Sequence, residues 1–508
     1  MLLLRKSWVS FTTLPLFFQV FAIACSLMFI NAAYGFFIES FREARVFLYC
    51  SLTGWLAFFL IKLATSNRNL KESGEMQIIS LLLLFILLPL FLAFPAWIIA
   101  PNVTFIDAYV DTVGAFTTTG LPVFENDFLS RSIHLWRAII AWFGGGLIWI
   151  AAFVILLPAS RGGFDVFSNK IIGPNLIRKL TLNERSTTLS SISKKIVPIY
   201  VGLTFILWCA LTSFGSDEYT SFIRAFSILS TSGISGPQKL GSDGAGFFGE
   251  VVMVVFLVSA LSFNIFYLLT KRTNVKKLLL DRELRLGFLI VICFTIVLSL
   301  KDMELIMSVY DLNESFIDGL KLIWGNFFTV FSFITTTGYV SSYWEEFQYS
   351  VDTPHVTMVL LGLCLFGGGL ATTAGGIKLM RISILFSALS AETGKLTHPS
   401  SIHGTNLNLK NLEISSFMAW IFFMLFLVSL AVVTIVLSMF GMFFEDAVVL
   451  AVACLTSTGP LIDVVGVNSS MISELPYFSK LVLVVSMILG RIEILLALSV
   501  INSALRRA

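Results

Sequence analysis

Charged residues are scarce in this chain. Of its 508 residues, 13% are charged and 56% are hydrophobic, whereas an average soluble domain carries about a quarter charged residues. Apolar runs that could cross about 30 Å of hydrocarbon, about 20 residues each, recur along the whole sequence. The composition therefore excludes an ordinary soluble domain and indicates a chain that crosses a membrane many times.

The motifs of common enzymes and metal sites are also missing. The four histidines lack the i, i+4 spacing of a metal-binding helix, and the chain has no HExxH, GxSxG or GxxxxGK[ST] motif. The six cysteines are dispersed through apolar stretches without a CxxC pair, as small buried hydrophobic residues are. We therefore predict no enzymatic activity, no covalent cofactor and no nucleic-acid partner.

What the sequence does contain is a short polar string that occurs four times in apolar surroundings. Each copy has three hydroxyl residues followed by a glycine, and the copies recur roughly every 110 residues. The strings are Thr117-Thr118-Thr119-Gly120, Ser230-Thr231-Ser232-Gly233, Thr335-Thr336-Thr337-Gly338 and Thr456-Ser457-Thr458-Gly459. The second copy is the least regular of the four.

Every string lies in the same local context. A stretch too short to span precedes it, and an acidic turn and a long apolar helix follow it. Aspartates such as Asp107 are placed to cap the short helices. The sequence FGGGL occurs in the first unit at 143–147 and again in the third at 366–370, so the similarity extends beyond the strings.

These repeats predict an all-α polytopic membrane protein. Four pseudo-symmetric helix–pore loop–helix repeats would surround a central pore, after an N-terminal helical hairpin. The predicted parts are the hairpin at 1–72 and the pore repeats at 73–190, 191–285, 286–410, which includes an intramembrane gating loop, and 411–508. Ten crossings are expected near 11–35, 46–64, 78–100, 133–157, 196–214, 247–270, 287–309, 355–386, 414–441 and 476–505.

The distribution of charge predicts the orientation. The segments 158–195 and 271–286 are rich in lysine and arginine, which is typical of cytoplasmic loops, whereas the turns after the strings are acidic and are expected outside. Basic residues at both ends of the chain place both termini in the cytoplasm. An even number of crossings agrees with that placement.

Four strings of irregular backbone at membrane depth must line a water-accessible space, because an unpaired carbonyl in hydrocarbon costs several kcal/mol. Around one axis, their carbonyl oxygens could replace the hydration shell of an ion, with threonine and serine hydroxyls nearby. The negative C-terminal ends of the short helices would favour a cation. The alternative is that small polar residues merely pack at helix crossings, which four copies in one context disfavour.

With these four strings, the sequence resembles the Trk/Ktr/HKT superfamily of potassium transporters, and in particular its TrkH-type membrane subunit. The match covers nearly the whole chain: the four strings, residues 366–381 (FGGGLATTAGGIKLMR) and residues 489–494 (LGRIEI). The resemblance implies a K⁺ selectivity filter formed by the four strings, with K⁺ as the bound and transported ion. Plant relatives with serine at the first glycine transport sodium, but here all four positions are glycine.

A glycine-rich segment interrupts the later span of the third unit. Its glycines and threonines weaken a helix, so a hinge or unwound loop is expected, whereas Gly144–Gly146 is expected to be a closely packed helix face. The resemblance implies that the segment is a gate below the filter. The gate residues so implied are Gly367, Gly368, Gly369, Thr372, Thr373, Gly375, Gly376 and, in the last span, Arg491.

Arg491 lies in the middle of a predicted span. On a lipid face it would cost at least about 2.5–3.5 kcal/mol, so it should face the protein interior. Glu493 is only two residues further on, which excludes a simple ion pair on one helix face. The resemblance makes Arg491 an electrostatic barrier against the loop. The alternative is a structural arginine that backbone carbonyls satisfy.

The resemblance also implies partners and a location. It implies a homodimer in the cell (inner or plasma) membrane and a cytoplasmic, nucleotide-binding TrkA-type ring. The basic loop 158–195 is either a docking surface for that ring or an orientation signal that meets anionic lipid. Two other functions stay open: an H⁺- or Na⁺-coupled symporter on the same scaffold, and a membrane sensor that carries no flux.

Overall fold

The computed structural model describes residues 15–65, 74–124, 128–152, 185–237, 246–262, 281–309, 315–344, 354–370, 372–397, 406–466 and 469–492. Within these ranges every long element is a helix, and no strand is present. The helices are α1 Leu16–Phe37, α2 Phe41–Thr65, α3 Gly74–Leu92, α4 Phe94–Ile99, α5 Phe105–Phe116, α6 Arg131–Ala151, α7 Arg185–Ser213, α8 Glu218–Ser230, α9 Gly246–Leu261, α10 Arg282–Val309, α11 Ser315–Ile334, α12 Pro354–Phe366, α13 Leu379–Thr397, α14 Asn406–Met439, α15 Phe444–Thr456, α16 Leu461–Val465, α17 Ser469–Glu474 and α18 Tyr477–Ile492.

Seven helical segments in the described ranges are long and apolar enough to cross a membrane. Their exposed side chains are largely hydrophobic, for example Phe29, Leu63 and Phe417, as lipid-facing positions are. The chain is an integral membrane protein, and the predicted all-α polytopic fold is confirmed. The number of ten crossings and the cytoplasmic termini remain predictions, because residues 1–14 and 493–508 lie outside the described ranges.

The N-terminal hairpin is formed by α1 and α2, which are joined by a turn of three residues. Gly35 lets the two backbones approach closely, since a Cβ atom there would lie 3.0 Å from the Cβ of Ala44. The Ser51 hydroxyl also donates to the carbonyl of Cys25 at 2.9 Å. Small residues therefore hold this pair together, as is common between membrane helices.

A short helix precedes each of the four strings. Helices α5, α8 and α15 have 12, 13 and 13 residues, whereas α11 in the third unit has 20. The prediction that Asp107 caps its helix was wrong: the cap is Thr104, whose hydroxyl accepts the N–H of Asp107. Asp107 lies in the first turn instead, where its charge still favours the positive helix end.

The two glycine-rich segments differ in backbone conformation. In the first unit Gly144–Gly146 stays helical inside α6, and a Cβ atom on Gly144 would overlap the carbonyl oxygen of Phe116. In the third unit the helix ends at Phe366 and resumes at Leu379. The interruption expected within the crossing at 355–386 is thus present: two helices, α12 and α13, are joined by a non-helical segment.

Candidate functional site

All four strings end a short helix with the same backbone turn. Their second residues have a left-handed conformation, which is uncommon outside glycine; the φ values are +56° at Thr118, +53° at Thr231, +56° at Thr336 and +57° at Ser457. Their third residues donate an N–H to the carbonyl five residues earlier; these bonds are Thr119 to Gly114, Ser232 to Ser227, Thr337 to Ser332 and Thr458 to Ala453, at 2.8 to 3.0 Å. This is a Schellman helix end with threonine or serine where glycine is usual.

The hydroxyl groups of the strings form a second repeated pattern. The first hydroxyl of each string donates back to the carbonyl four residues earlier and also pairs with the third hydroxyl. The hydroxyl pairs are Thr117 with Thr119 at 2.8 Å, Ser230 with Ser232 at 3.1 Å, Thr335 with Thr337 at 3.2 Å and Thr456 with Thr458 at 3.1 Å. The second string, the least regular in sequence, therefore has the same local structure as the others.

The glycines bring successive strings into contact. A Cβ atom on Gly120 would overlap the carbonyl oxygen of Ser232, which joins the first string to the second. One on Gly233 would overlap the carbonyl oxygen of Thr337, which joins the second string to the third. At both glycines φ is +64°, so a side chain would be strained as well as crowded.

Two further contacts close the cycle. A Cβ atom on Gly338 would lie 3.3 Å from the Thr458 methyl group, and the Gly459 N–H donates to the Thr119 carbonyl at 2.6 Å. Gly459 does not share the positive φ of the other three glycines; close approach of backbone is its requirement. The strings thus contact one another in the order first, second, third, fourth and first again.

This ring has the electrostatic character of a cation site. The hydroxyl residues of the strings are at most 1% exposed, and the negative C-terminal ends of α5, α8, α11 and α15 all lead into it. Since the first and third hydroxyls bond to each other and to the helix ends, backbone carbonyl oxygens are the groups best placed to bind an ion.

The segment between α12 and α13 contacts three of the string helices at their C-terminal ends or in the string that follows. The Gly375 N–H donates to the Thr336 hydroxyl at 2.8 Å, and the Thr373 hydroxyl donates to the Leu229 carbonyl at 3.3 Å. A Cβ atom on Gly375 would overlap the carbonyl oxygen of Thr456. The structure therefore brings Thr373 and Gly375 directly against the ring.

The first part of the same segment is held by neighbouring helices. The Gly369 N–H donates to the Ala260 carbonyl at 3.0 Å, and the Leu370 N–H donates to the buried Glu283 carboxylate at 3.1 Å. Gly367 and Gly376 pack against each other's backbone, with φ of +67° and +75°. The segment is thus a compact loop, which we call the 367–378 loop; Ala371 within it lies outside the described ranges.

Other predicted gate residues lie in the same loop. Thr372 is buried, and its hydroxyl donates to the Gly369 carbonyl at 2.8 Å. A Cβ atom on Gly368 would overlap the Ala374 side chain, which leaves no room for a larger residue. Thr372 and Gly368 therefore shape the loop, and no described hydrogen bond joins either of them to a string.

Arg491 is buried near the end of α18, with 7% of its surface exposed. Its Nε and Nη2 atoms have no hydrogen-bond partner among the described residues. The preceding residue, Gly490, packs on the Leu455 carbonyl beside the residue that Gly375 contacts. Arg491 thus lies on the same end of α15 as the loop, although no hydrogen bond joins it to the described loop residues. Glu493 lies outside the described ranges.

The sequence did not predict that four acidic residues within the helices are buried. Asp111 pairs with Arg137 at 2.9 Å, and Asp107 pairs with Lys480 at 2.5 Å. Glu250 and Glu283 are buried on α9 and α10 and are 2% and 1% exposed. An acidic residue in an apolar helix is a detectable signal, but its partner lies far away in the sequence and only the fold identifies it.

Comparison with known proteins identifies relatives over most of the chain. A family profile described as TrkH, a cation transport protein, matches residues 43–504. The chain is 30% identical to the Trk system potassium uptake protein TrkG of Escherichia coli (strain K12) over 82% of each chain. It is 26% identical to TrkH of the same strain over 78% of each chain.

A solved structure shares the fold. The crystal structure of the potassium transporter TrkH from Vibrio parahaemolyticus superposes with a TM-score of 0.74 at 22% sequence identity. The superposition covers 96% of this chain and 97% of that one. Together with the match of the family profile, these similarities show that the chain belongs to the TrkH family of cation transport proteins.

Proposed function

We propose that this protein takes up potassium ions across the cell membrane through the ring of four strings. Dehydrated K⁺ would pass along the axis and be bound by carbonyl oxygens of residues 117–120, 230–233, 335–338 and 456–459. The observation that carries the proposal is that four strings with the same backbone conformation contact one another in a closed ring. Relatives named as potassium uptake proteins add support for K⁺ as the ion.

The 367–378 loop and Arg491 would form the gate. The loop contacts Leu229, Thr336 and Thr456, at or just after the C-terminal ends of α8, α11 and α15. In that position it would obstruct an ion leaving the filter. A buried guanidinium on the same side would repel a cation that approaches it. Opening would then require the loop to leave its contacts with the strings.

The proposed setting is the inner or plasma membrane, with both termini in the cytoplasm. We propose that the protein acts as a homodimer and is regulated by a cytoplasmic, nucleotide-binding TrkA-type ring. The support is membership of a family whose members are named as components of a Trk system. The basic segment 158–195 is the proposed contact with the ring or with anionic lipid.

A coupled symporter remains the second candidate because of the buried carboxylates. Ion coupling uses membrane-embedded acidic residues that gain and lose a proton or Na⁺. Of the four buried acidic residues in the described helices, Asp107 and Asp111 have basic partners, and both oxygens of Glu250 accept hydrogen bonds. One oxygen of Glu283, by contrast, has no hydrogen-bond partner among the described residues. Glu283 is thus the residue on which a coupled mechanism would depend.

Reconstitution into proteoliposomes tests the proposal and separates the two candidates. With K⁺ inside and a K⁺-free medium outside, we expect K⁺ efflux that follows the electrochemical gradient of K⁺ and exceeds Na⁺ efflux under matched conditions. A pH-sensitive dye trapped in the vesicles reports coupled proton movement. Absence of K⁺ flux would refute the uptake proposal, whereas K⁺ flux with stoichiometric proton movement would favour the symporter.

A further inference from the structure

Among the described residues, the carbonyl of the residue after the string glycine accepts a hydrogen bond from a long side chain in two of the four units. In the first unit the Leu121 carbonyl accepts a hydrogen bond from Arg137 at 3.3 Å. In the second unit the Ile234 carbonyl accepts one from the Tyr339 hydroxyl at 2.9 Å. Arg137 belongs to the same unit as its acceptor, but Tyr339 belongs to the third unit. The tyrosine therefore bridges two repeats.

Tyr339 is fixed at both of its ends. It directly follows Gly338, and its N–H donates to the Ser332 hydroxyl on α11 at 2.7 Å. Its side chain is 5% exposed and reaches the residue after Gly233. The equivalent positions in the other units hold Leu121, Ile234 and Pro460, which have no hydroxyl to offer. This connection therefore exists once in the ring.

Among the described residues, no hydrogen bond joins the second string directly to the third. The fourth and first strings are joined by a backbone hydrogen bond from Gly459 to Thr119. The second and third strings meet where Gly233 packs on the Thr337 carbonyl, a contact that limits approach but does not prevent separation. A buried hydroxyl–carbonyl bond beside it resists separation, because breaking it leaves a carbonyl unpaired in the protein interior.

We propose that Tyr339 is a positioning residue that sets the spacing between the second and third strings and thereby the discrimination of K⁺ from Na⁺. The inference rests on the proposed function, since it assumes that the strings bind the ion. Tyr339 does not itself contact the ion. It fixes the Ile234 carbonyl and with it the backbone next to Gly233, so the carbonyl oxygens lining the path cannot shift to suit a smaller ion.

The test is the Tyr339→Phe variant, which removes one hydroxyl and keeps the ring. Tyr109→Phe is the matched control: Tyr109 is also buried, and its hydroxyl donates to a carbonyl, that of Ile86, at 3.1 Å, but between α5 and α3 and away from the strings. Reversal potentials in planar bilayers under K⁺ and Na⁺ gradients give the permeability ratio. We expect Y339F to lower the K⁺/Na⁺ ratio by about threefold to tenfold and Y109F to leave it unchanged.

A second measurement keeps the inference testable if the flux of Y339F is low. The apparent Tm of the detergent-solubilised protein is recorded in KCl and in NaCl. Wild type and Y109F should be stabilised more by K⁺ than by Na⁺, whereas Y339F should lose most of this difference. An unchanged ratio in Y339F, or an equal change in Y109F, would overturn the role of Tyr339. Lack of K⁺ conduction by the wild type would overturn the proposed function itself.

Discussion

At the scale of single residues, the recurrence of one strained conformation is the most informative feature. Thr118, Thr231, Thr336 and Ser457 all have positive φ at equivalent positions. A non-glycine residue in this region costs of order 1 kcal/mol or more and persists where the surrounding structure enforces it. The paired hydroxyls on either side supply that enforcement. The recurrence of this conformation in four strings supports the proposal that the ring is the ion-binding site.

A substitution at Gly120 tests whether the contact between the first and second strings is needed for K⁺ flux. In Gly120→Ala the new methyl group would overlap the Ser232 carbonyl oxygen, and overpacking of this kind costs about 1–3 kcal/mol. The string must move to accommodate it. We expect K⁺ flux in proteoliposomes to fall by about tenfold or more and K⁺/Na⁺ selectivity to weaken.

The matched control is Gly441→Ala. Gly441 also has a positive φ, +95°, but nothing lies within 4 Å of a Cβ atom there. It therefore shares the conformational strain without the crowding and should keep wild-type flux and selectivity. Equal losses in the two variants would show that backbone strain, not contact between strings, explains the effect.

Arg491 tests the proposed barrier. Two unit charges about 4 Å apart repel by about 4 kcal/mol at an effective dielectric constant of 20. If the guanidinium opposes the passage of K⁺, Arg491→Gln should raise K⁺ flux by about tenfold or more. The measurement is the initial rate of K⁺ release from proteoliposomes at equal protein content.

Arg381→Gln is the control for loss of a buried arginine. Arg381 is 4% exposed, and its guanidinium lies 3.9 Å from the centre of the Phe422 ring. Its replacement should lower thermal stability without raising flux. A folded Arg491→Gln protein with wild-type flux would remove the barrier role and leave a structural arginine.

At the scale of elements, the string helices and the broken span define the candidate pore. Each string helix ends in a Schellman turn, so its negative end meets the ring. The 367–378 loop then connects this ring to α9 and α10 through Ala260 and Glu283. A loop held at both sides can act as a gate only if one set of contacts breaks.

Glu283 tests how the loop is held. The Glu283 side chain accepts the Leu370 N–H, and removing one partner of a buried hydrogen bond costs about 1–3 kcal/mol. Without it the loop should leave its observed position more often. We expect Glu283→Ala to raise open probability in single-channel recordings by about tenfold, with Glu283→Gln intermediate and unitary conductance unchanged.

Glu392→Ala provides the comparison, since Glu392 is an exposed acid on α13, the helix that follows the loop. It should behave as wild type. If Glu283→Ala altered conductance or selectivity while open probability stayed constant, the carboxylate would act on the filter and not on the loop.

Most elements could be predicted from the sequence, but their ends could not. Apolar length indicated the spans, and the helix-breaking composition of 367–376 indicated the interruption. The error at Asp107 arose because an aspartate suits both the cap and the first turn of a helix. Thr104, three residues earlier, is the cap in the structure, because its hydroxyl accepts the Asp107 N–H.

At the scale of the whole molecule, the ring is closed but not four-fold symmetric. Its four boundaries differ: the Gly120 and Gly233 backbones pack on carbonyl oxygens, Gly338 packs on the Pro460 ring and the Thr458 methyl group, and Gly459 makes a hydrogen bond. The repeated strings predicted that the units are equivalent in type. They could not predict these boundaries, nor the pairs Asp111–Arg137 and Asp107–Lys480, because such contacts join residues whose proximity depends on the packing of the helices.

The central claim is that the four strings surround one K⁺ path, and anomalous diffraction from crystals grown in Rb⁺ or Tl⁺ tests it most directly. These ions substitute for K⁺ and report their own positions. The account predicts anomalous peaks on the axis of the ring, bound by carbonyl oxygens of all four strings, and loss of the peaks in Gly120→Ala. Ion peaks elsewhere in a conducting protein, with none between the strings, would contradict it.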